Sequence, residues 1–210
     1  MDDHVWLAEY FERYRTSLFR ADVFAQLVEL KALLKATQAS GRKVICAGNG
    51  GSAAIASHCA VDFTKVAGVR CVNFNEADLI TCFANDYGYE HWLAKALACY
   101  ADPGDCAILI SSSGKSQNMV NAARQAAAQG LSIVTFTGFA RENPLGVLGR
   151  LNFWVDSRAY NVIEMTHQIW LLAVCDLLAG KAEYAASESE PSASTAGATR
   201  RRSRRAAAVR

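Results

Sequence analysis

Two loops in the sequence carry residue types that bind phosphate, and the first of them is rich in glycine. The segment Gly48-Asn49-Gly50-Gly51-Ser52 directly follows a short apolar stretch at residues 43–47. Glycines let a backbone approach a ligand closely, and Ser52 is placed to cap a following helix whose free N–H groups attract an anion. The loop lacks the last glycine of a dinucleotide-binding fingerprint and the lysine of a P-loop, so a plain turn explains it equally well.

The second loop is rich in hydroxyl groups. After an apolar stretch at 106–110 the chain reads Ser111-Ser112-Ser113-Gly114-Lys115-Ser116. Each hydroxyl can donate to a phosphate oxygen, and a helix predicted from Ser116 adds backbone N–H donors. A merely solvated serine loop is less expected so close to a fully apolar strand. We therefore predict a phosphate site here and, without a P-loop lysine, a phosphosugar ligand instead of a nucleotide.

Two further pairs of side chains have the chemistry for proton transfer or metal binding. His58 and Asp62 are four residues apart, and Glu164 and His167 are three apart, each pair on a predicted helix. Such spacings place both members on one helix face. A histidine with a carboxylate can hold a divalent metal, but the spacing alone fits ordinary surface pairs better than a site.

The elements that must position these residues alternate between helices and short apolar strands. Apolar residues at helical spacing predict helices over 3–38, with a break at Arg20-Ala21-Asp22 where Asp22 can cap the second helix. Strands are predicted at 43–47, 70–74, 106–110, 132–136 and 152–155, and helices at 52–66, 77–100, 116–129 and 162–178. The segment Asn85-Asp86-Tyr87-Gly88 is a candidate interruption of the helix at 77–100. This pattern predicts an α/β fold with a doubly wound, mostly parallel five-stranded sheet flanked by helices. In such sheets, ligands bind at the carboxyl ends of the strands.

Composition suits one globular domain that stays in the cytoplasm. The chain has 210 residues, of which 51% are hydrophobic and 20% charged. It has no uninterrupted run of 18 apolar residues, and its acidic start, Met1-Asp2-Asp3-His4, is unlike a signal peptide. Seven cysteines without a CxxC pair indicate buried free thiols instead of disulfides or a zinc knuckle.

Charge is unevenly distributed along the chain. The net charge is +2, but residues 181–210 hold seven Lys or Arg and only three Glu. The rest of the chain is therefore slightly acidic, which argues against nucleic acid as a partner except through the basic end. We predict a single phosphosugar-binding domain at 1–184 and a disordered basic tail rich in Ser, Ala and Arg at 185–210.

Four segments match one pattern when they are taken together. They are Gly48-Asn49-Gly50-Gly51-Ser52-Ala53-Ala54 with His58, Asn85-Asp86-Tyr87-Gly88, Ser111-Ser112-Ser113-Gly114-Lys115-Ser116, and Thr135-Phe136-Thr137-Gly138. On these motifs the chain resembles the sugar isomerase (SIS) family, and within it the phosphoheptose isomerases, over about residues 5–180. Those enzymes interconvert sedoheptulose 7-phosphate and D-glycero-D-manno-heptose 7-phosphate. The resemblance implies a homotetramer with active sites between subunits and no association with a membrane.

The resemblance also implies which residues act. It assigns substrate and phosphate binding to Asn49, Gly50, Gly51, Ser52, Asn85, Asp86, Ser111, Ser112, Ser113 and Ser116. An aldose–ketose isomerase moves a proton between adjacent carbons through an enediol, which needs a base and often a metal. The resemblance implies zinc held by His58, Asp62 and Glu164, with Asp62, Glu164 and His167 as the catalytic candidates.

The departures from the family pattern lie at the residues that the family uses for catalysis and metal binding. Asp62 stands where the family has a glutamate, Glu164 where it has a glutamine, and Leu172 where it has a second catalytic histidine. The family's Thr-x-Arg reads Tyr160-Asn161-Val162, and its glycine pair is replaced by Phe139-Ala140-Arg141-Glu142. Three functions remain open: an isomerase with an altered catalytic set, a non-catalytic phosphosugar sensor, and a tetrameric adaptor that binds another protein. The retained phosphate loops argue against an adaptor and the remaining acidic and imidazole groups against a sensor, so we expect an isomerase.

Overall fold

The structure is a computed structural model that describes residues 2–183. The predicted basic tail at 185–210 lies outside the described residues. Two long helices come first, α1 at Asp3–Leu18 and α2 at Val23–Ala39, with the break at the predicted place. Asp22 occupies the N-cap position of α2, but its carboxylate accepts from Arg20 Nε at 2.6 Å and makes no capping bond.

Strands and helices then alternate. The strands are β1 at Val44–Gly48, β2 at Cys71–Val72, β3 at Cys106–Ser111, β4 at Ser132–Thr137 and β5 at Leu151–Trp154. The later helices are α3 at Gly51–Lys65, α4 at Ala77–Tyr87, α5 at Trp92–Tyr100, α6 at Gln117–Ala128 and α7 at Tyr160–Ala179, with a short 3-10 turn at Gly146–Leu148. One prediction needs correction, because the strand at 70–74 is only two residues long. The helix at 77–100 is interrupted at Gly88, whose φ is +85°, within the segment where an interruption was predicted.

The five strands form one parallel sheet in the order β2-β1-β3-β4-β5, which confirms the predicted fold class. From β1 the chain moves outward to β2 and then returns to add β3 on the other side of β1. The connections that follow β1 and β3 therefore lead away from each other. In doubly wound sheets the crevice at such a reversal, beyond the carboxyl ends of the strands, is where ligands bind.

Apolar layers cover both faces of the sheet. On one face, α2, α3 and α7 pack through residues such as Leu30, Phe63 and Trp170, and on the other face α5 and α6 pack through Leu97 and Met119. Five of the seven cysteines are buried in these layers, and all seven are free thiols. By length and composition α7 is apolar enough to cross a membrane, but close to half of that segment is buried inside the protein. Packing against the sheet therefore accounts for its apolar character.

Candidate functional site

A small cleft opens where β1 and β3 end. It is lined by Asn49, Ser52, Ile110, Ser111, Ser112, Ser113, Ser116, Tyr160 and Glu164. Its volume is about 110 Å³, well below the ~300–1,000 Å³ of sites that enclose a whole small molecule. The cleft is therefore large enough for a group such as a phosphate, and the remainder of a longer ligand must extend beyond it.

The glycine loop brings the N-terminus of α3 to this cleft. Gly50 is the N-cap residue with a φ of +55°, and the helix begins at Gly51. Ser52 is consequently buried in the first turn and does not cap the helix as predicted. A Cβ atom on Gly51 would lie 2.4 Å from Oε2 of Glu164, so a residue other than glycine would displace that carboxylate.

The serine loop supplies hydroxyl groups from the end of β3 and the start of α6. Ser111 donates from its Oγ to Oγ of Ser116 at 3.3 Å. Ser112 is only 5% exposed, and its Oγ has no hydrogen-bond partner among residues 2–183. A buried hydroxyl without a partner is costly, so one that lines a cleft indicates a polar ligand. No side chain caps α6, which leaves its first N–H groups available to that ligand as well.

Asn143, which the sequence analysis did not identify, packs against the serine loop at Gly114. Gly114 has a φ of +64°, and a Cβ there would lie 1.9 Å from Oδ1 of Asn143. The Asn143 amide donates to the carbonyl of Ala140 at 3.0 Å and accepts from the N–H of Gly146 at 2.8 Å. These bonds lie within the segment of Asn143 itself, and the N–H of Leu145 donates to the carbonyl of Gly114 at 3.0 Å, which joins that segment to the serine loop.

A pair of amide side chains connects the two loops. Asn49 Nδ2 donates to Oδ1 of Asn118 at 2.9 Å, and Asn118 Nδ2 donates back to Oδ1 of Asn49 at 2.8 Å. The hydroxyl of Tyr89 also donates to Oδ1 of Asn49, at 3.1 Å. Asn49 lines the cleft, but its amide already has protein partners, so its contribution is to hold the loops together. Asn118 and Tyr89 were not predicted, because nothing in the sequence indicates that they meet Asn49.

Glu164 is the acidic side chain in the cleft. It lies in the first turn and a half of α7, against Gly51 at the start of α3. Partial burial raises the pKa of the Glu164 carboxyl above its usual value. Among the described residues that line the cleft there is no lysine or arginine. Glu164 is thus the candidate for proton transfer at this position.

His58 and Asp62 form a pair away from the cleft. His58 Nε2 lies 3.0 Å from Oδ2 of Asp62, and the His58 side chain is 55% exposed. Asp62 contributes to raising the pKa values of Cys175 and Asp176, which places it beside the last turns of α7. Asp62 is eleven residues after Gly51 in α3, or about 16 Å along the helix axis, whereas Glu164 contacts Gly51.

The metal set His58, Asp62 and Glu164 is therefore not assembled within one chain. Residues 2–183 contain no group of three or more His, Cys, Asp or Glu side chains that could hold a metal ion. The zinc prediction, which depended on these three residues converging, does not fit the arrangement of a single subunit. The cause is that α3 and α7 bring together Gly51 and Glu164 at one end and Asp62 and Asp176 at the other.

His167 belongs to the core and not to the cleft. It is completely buried, and its Nε2 donates to the carbonyl oxygen of Thr137 at 3.0 Å. Burial lowers the pKa of His167 to about 4, so the imidazole is neutral at physiological pH. Its ring packs edge-on against Phe136. This placement argues against the catalytic role predicted for His167, because a proton donor must reach the substrate.

Asn85 and Asp86 also lie outside the cleft. Both are exposed in the last turn of α4, where Asn85 Nδ2 donates to Oδ1 of Asp86 at 3.0 Å. The part of this segment that reaches the site is Tyr89, through Asn49. Of the predicted residues, the structure brings together Asn49, Gly51, Ser52, Ser111, Ser112, Ser113, Ser116 and Glu164, with Gly50 beside them.

Comparisons with known proteins give the same fold. A family model described as SIS domain matches residues 9–138. Solved structures of phosphoheptose isomerases from Neisseria gonorrhoeae and Francisella tularensis superpose with TM-scores of 0.78 each, at 23% and 22% identity. The first comparison covers 84% of this chain and 99% of the other, and the second 86% and 100%.

Curated relatives share a higher sequence identity with this chain than those solved structures do, but over shorter segments. A phosphoheptose isomerase of Colwellia psychrerythraea is 33% identical over 146 residues, which are 66% of this chain and 74% of the relative. One of Fusobacterium nucleatum is 40% identical over 103 residues, 47% of this chain and 53% of the relative. The chain thus spans only about half the length of some of the curated relatives that it matches. Because the family model covers well over half of the chain, the protein belongs to the SIS domain family, in which it resembles the phosphoheptose isomerases.

Proposed function

We propose that this protein binds a phosphorylated sugar and interconverts its aldose and ketose forms. The observation that carries the proposal is the buried Ser112 hydroxyl, which lines the cleft and has no partner within the described part of the chain. Hydroxyls of Ser111, Ser113 and Ser116 line the same cleft. The helices α3 and α6 both begin there, and helix N-termini favour anions. A phosphate group satisfies all of these donors at once.

The substrate we propose is sedoheptulose 7-phosphate, converted to D-glycero-D-manno-heptose 7-phosphate. Support comes from the names of the relatives, which are phosphoheptose isomerases. The small cleft supports it as well, because its volume suits the phosphate end of a long, open-chain sugar. The carbonyl end of that chain then lies outside the serine loop, toward Tyr160 and Glu164.

Glu164 is the base in the mechanism we propose. As a carboxylate it takes a proton from the hydroxyl-bearing carbon next to the carbonyl, which gives an enediolate. The hydroxyl proton then moves to the former carbonyl oxygen, and Glu164 returns its own proton to the former carbonyl carbon. The raised pKa of Glu164 favours the first step, because a stronger base accepts the proton more readily. The positive end of the α3 dipole is placed to stabilise negative charge on the substrate oxygen. No step is assigned to zinc, since His58, Asp62 and Glu164 do not converge in one chain.

A non-catalytic phosphosugar sensor is the second candidate. The small number of groups that could transfer a proton favours it. Among the described residues that line the cleft, the titratable side chains are Glu164 and the phenol of Tyr160. His167 is buried, and position 172 is a leucine. One protein of similar fold, NanR of Vibrio vulnificus, was solved in complex with ManNAc-6P, with a TM-score of 0.60 at 17% identity. Binding without turnover is the result that distinguishes this candidate from the isomerase.

Ser112→Ala tests the phosphate site. A hydrogen bond to a charged group contributes ~1.5–3 kcal/mol, so the variant should bind sedoheptulose 7-phosphate about tenfold to a hundredfold more weakly in calorimetry. Thr166→Val is the matched control, because Thr166 is another buried hydroxyl without a partner in residues 2–183 but lies away from the cleft. It should bind like the wild type.

The wild type is then assayed for interconversion of the two sugar phosphates by NMR. Turnover supports the isomerase, whereas binding without turnover assigns the protein as a sensor. If neither sugar phosphate nor inorganic phosphate binds, or if Ser112→Ala binds as tightly as the wild type, the proposed site is wrong.

A further inference from the structure

Two departures from the family pattern, distant in the sequence, meet at the edge of the cleft. Phe139 replaces part of a glycine pair after β4, and Tyr160 replaces a threonine before the last helix. Their ring centroids are 5.1 Å apart with an interplanar angle of 64°, which is an edge-to-face contact. The two rings, called here the aromatic lip, therefore form one surface feature although twenty-one residues separate them.

The backbone at Phe139 is strained. Its φ is +55°, and among residues 2–183 Phe139 is the one non-glycine residue with a positive φ. Its N–H donates to the carbonyl of Ser157 at 2.9 Å, and its ring packs partly against the core. Strained backbone persists where surrounding contacts enforce it, and it concentrates at sites that bind ligands. Here it directs an aromatic ring toward Tyr160, where a pair of glycines would leave open space.

Tyr160 faces the same cleft as the serine loop. It is the first residue of α7, four residues before Glu164, and both side chains line the cleft with Ser112 and Ser116. Tyr160 is 58% exposed, so much of its surface is open to a ligand, while its ring also contacts Phe139. An aromatic face offers an apolar contact for the C–H groups of a sugar, and the phenol can exchange hydrogen bonds with its hydroxyls.

We infer that Tyr160 contacts the carbon chain of the bound sugar phosphate and sets specificity for it, and that Phe139 positions the Tyr160 ring. The inference rests on the proposed function, because it places the phosphate of the same ligand in the serine loop. The ring lies beside the carbon skeleton that leaves the phosphate cleft. Tyr160 thus distinguishes a sugar phosphate from a bare phosphate, which reaches the serine loop only.

The experiment compares two ligands, inorganic phosphate and sedoheptulose 7-phosphate, by calorimetry. Tyr160→Ala should bind the sugar phosphate about tenfold more weakly and inorganic phosphate as the wild type does. Tyr160→Phe, which keeps the ring, should stay within about twofold for both ligands. Tyr100→Ala is the control, because Tyr100 is 53% exposed, is the last residue of α5 and does not line the cleft. It should change neither affinity.

Phe139 is tested by its effect on the same ratio of affinities. Phe139→Leu keeps apolar packing but removes the ring, and should lower the preference for the sugar phosphate about threefold. Phe139→Tyr keeps the ring and should show the wild-type preference for the sugar phosphate. A purely structural effect of Phe139 would weaken both ligands equally, so the ratio separates positioning from stability.

Each remaining outcome would refute either the proposed function or the role of the aromatic lip. If inorganic phosphate and the sugar phosphate both fail to bind the wild type, the proposed function is wrong and the inference falls with it. If both bind but Tyr160→Ala keeps the full preference, or loses both affinities equally, the aromatic lip is not a specificity element. A change in assembly mass for Tyr160→Ala, measured by light scattering, would make the ring a subunit contact and overturn the inference.

Discussion

At the scale of single residues, Glu164 creates a conflict of charge within the cleft. Its carboxylate lies beside hydroxyls and helix N-termini that are suited to an anion. Burial raises the pKa of Glu164, and a bound phosphate raises it further, while the N-terminus of α3 acts in the opposite direction. A glutamine would avoid the repulsion. The carboxylate is therefore expected to lower binding affinity while supplying the base that the proposed proton transfer requires.

Glu164→Gln should consequently change binding and turnover in opposite directions. Sedoheptulose 7-phosphate should bind several-fold more tightly at pH 7, because a like charge is removed. Turnover should fall about 10²-fold or more, because the amide cannot accept a proton. Glu142→Gln, an exposed glutamate outside the cleft, is the control for both measurements. Weaker binding, or full activity, in Glu164→Gln would refute the assignment of Glu164 as the base.

The pH dependence follows from the same residue. A base acts in its deprotonated form, so wild-type kcat/KM should fall as the pH drops through the pKa of Glu164. Since burial raises that pKa, the fall should begin at a higher pH than an exposed glutamate would give. The affinities of the wild type and Glu164→Gln should converge in the same range, because protonation also removes the charge.

At the scale of elements, the site depends on how separate loops are joined. The reciprocal amide bonds of Asn49 and Asn118 connect the loop after β1 to α6, and Asn118 is buried. Each loop is anchored to its own strand, so the distance between them is set by these two side chains together with the sheet. A loss of the amide pair should affect both stability and the phosphate site.

Asn118→Ala should lower the free energy of unfolding by ~1–3 kcal/mol, because it leaves the amide of Asn49 with only one of its two protein partners. Inorganic phosphate should bind more weakly, since the two loops are no longer held together. Asn121→Ala is the control for binding, because Asn121 is a half-buried amide on α6 that bonds the carbonyl of Glu90 and lies outside the cleft; it should leave phosphate affinity unchanged. A double-mutant cycle in urea with Asn49→Ala should show a coupling energy of ~0.5–3 kcal/mol. Additive effects would mean that the pair does not connect the loops.

What could be predicted from the sequence differs between the elements and the site. Apolar strands and helical periodicity are local patterns, so the order of the elements, the parallel sheet and both loops were predicted correctly. Spacing within one helix is also local, and it correctly paired His58 with Asp62. It could not show that Asp62 and Glu164 lie at different ends of the contact between α3 and α7. The burial of His167 and the contact of Phe139 with Tyr160 likewise depend on packing between helices and strands.

At the scale of the whole molecule, the first two helices leave apolar surface uncovered. None of the residues in α1 is buried, although α1 carries Trp6 and Phe11. Exposed apolar residues continue along the break and into α2. The exposed apolar residues of the two helices and the break between them are Val5, Trp6, Leu7, Phe11, Phe19, Phe24 and Val28. A patch of this kind marks an interface, and the resemblance to the SIS family implies that the partner is another copy of this chain.

We therefore expect four copies of the 22.7-kDa chain to assemble, with α1 and α2 in the interface. Phe11 is 63% exposed, so Phe11→Glu should not disturb the fold of one subunit but should place a charge in the apolar contact and dissociate the assembly. Val147→Glu is the matched control, because Val147 is 70% exposed and lies in the turn before β5, away from α1. Light scattering gives the mass of each variant, and circular dichroism shows whether it is folded. A monomeric wild type, or a Phe11→Glu protein that stays as large as the control, would show that this face does not hold the subunits together.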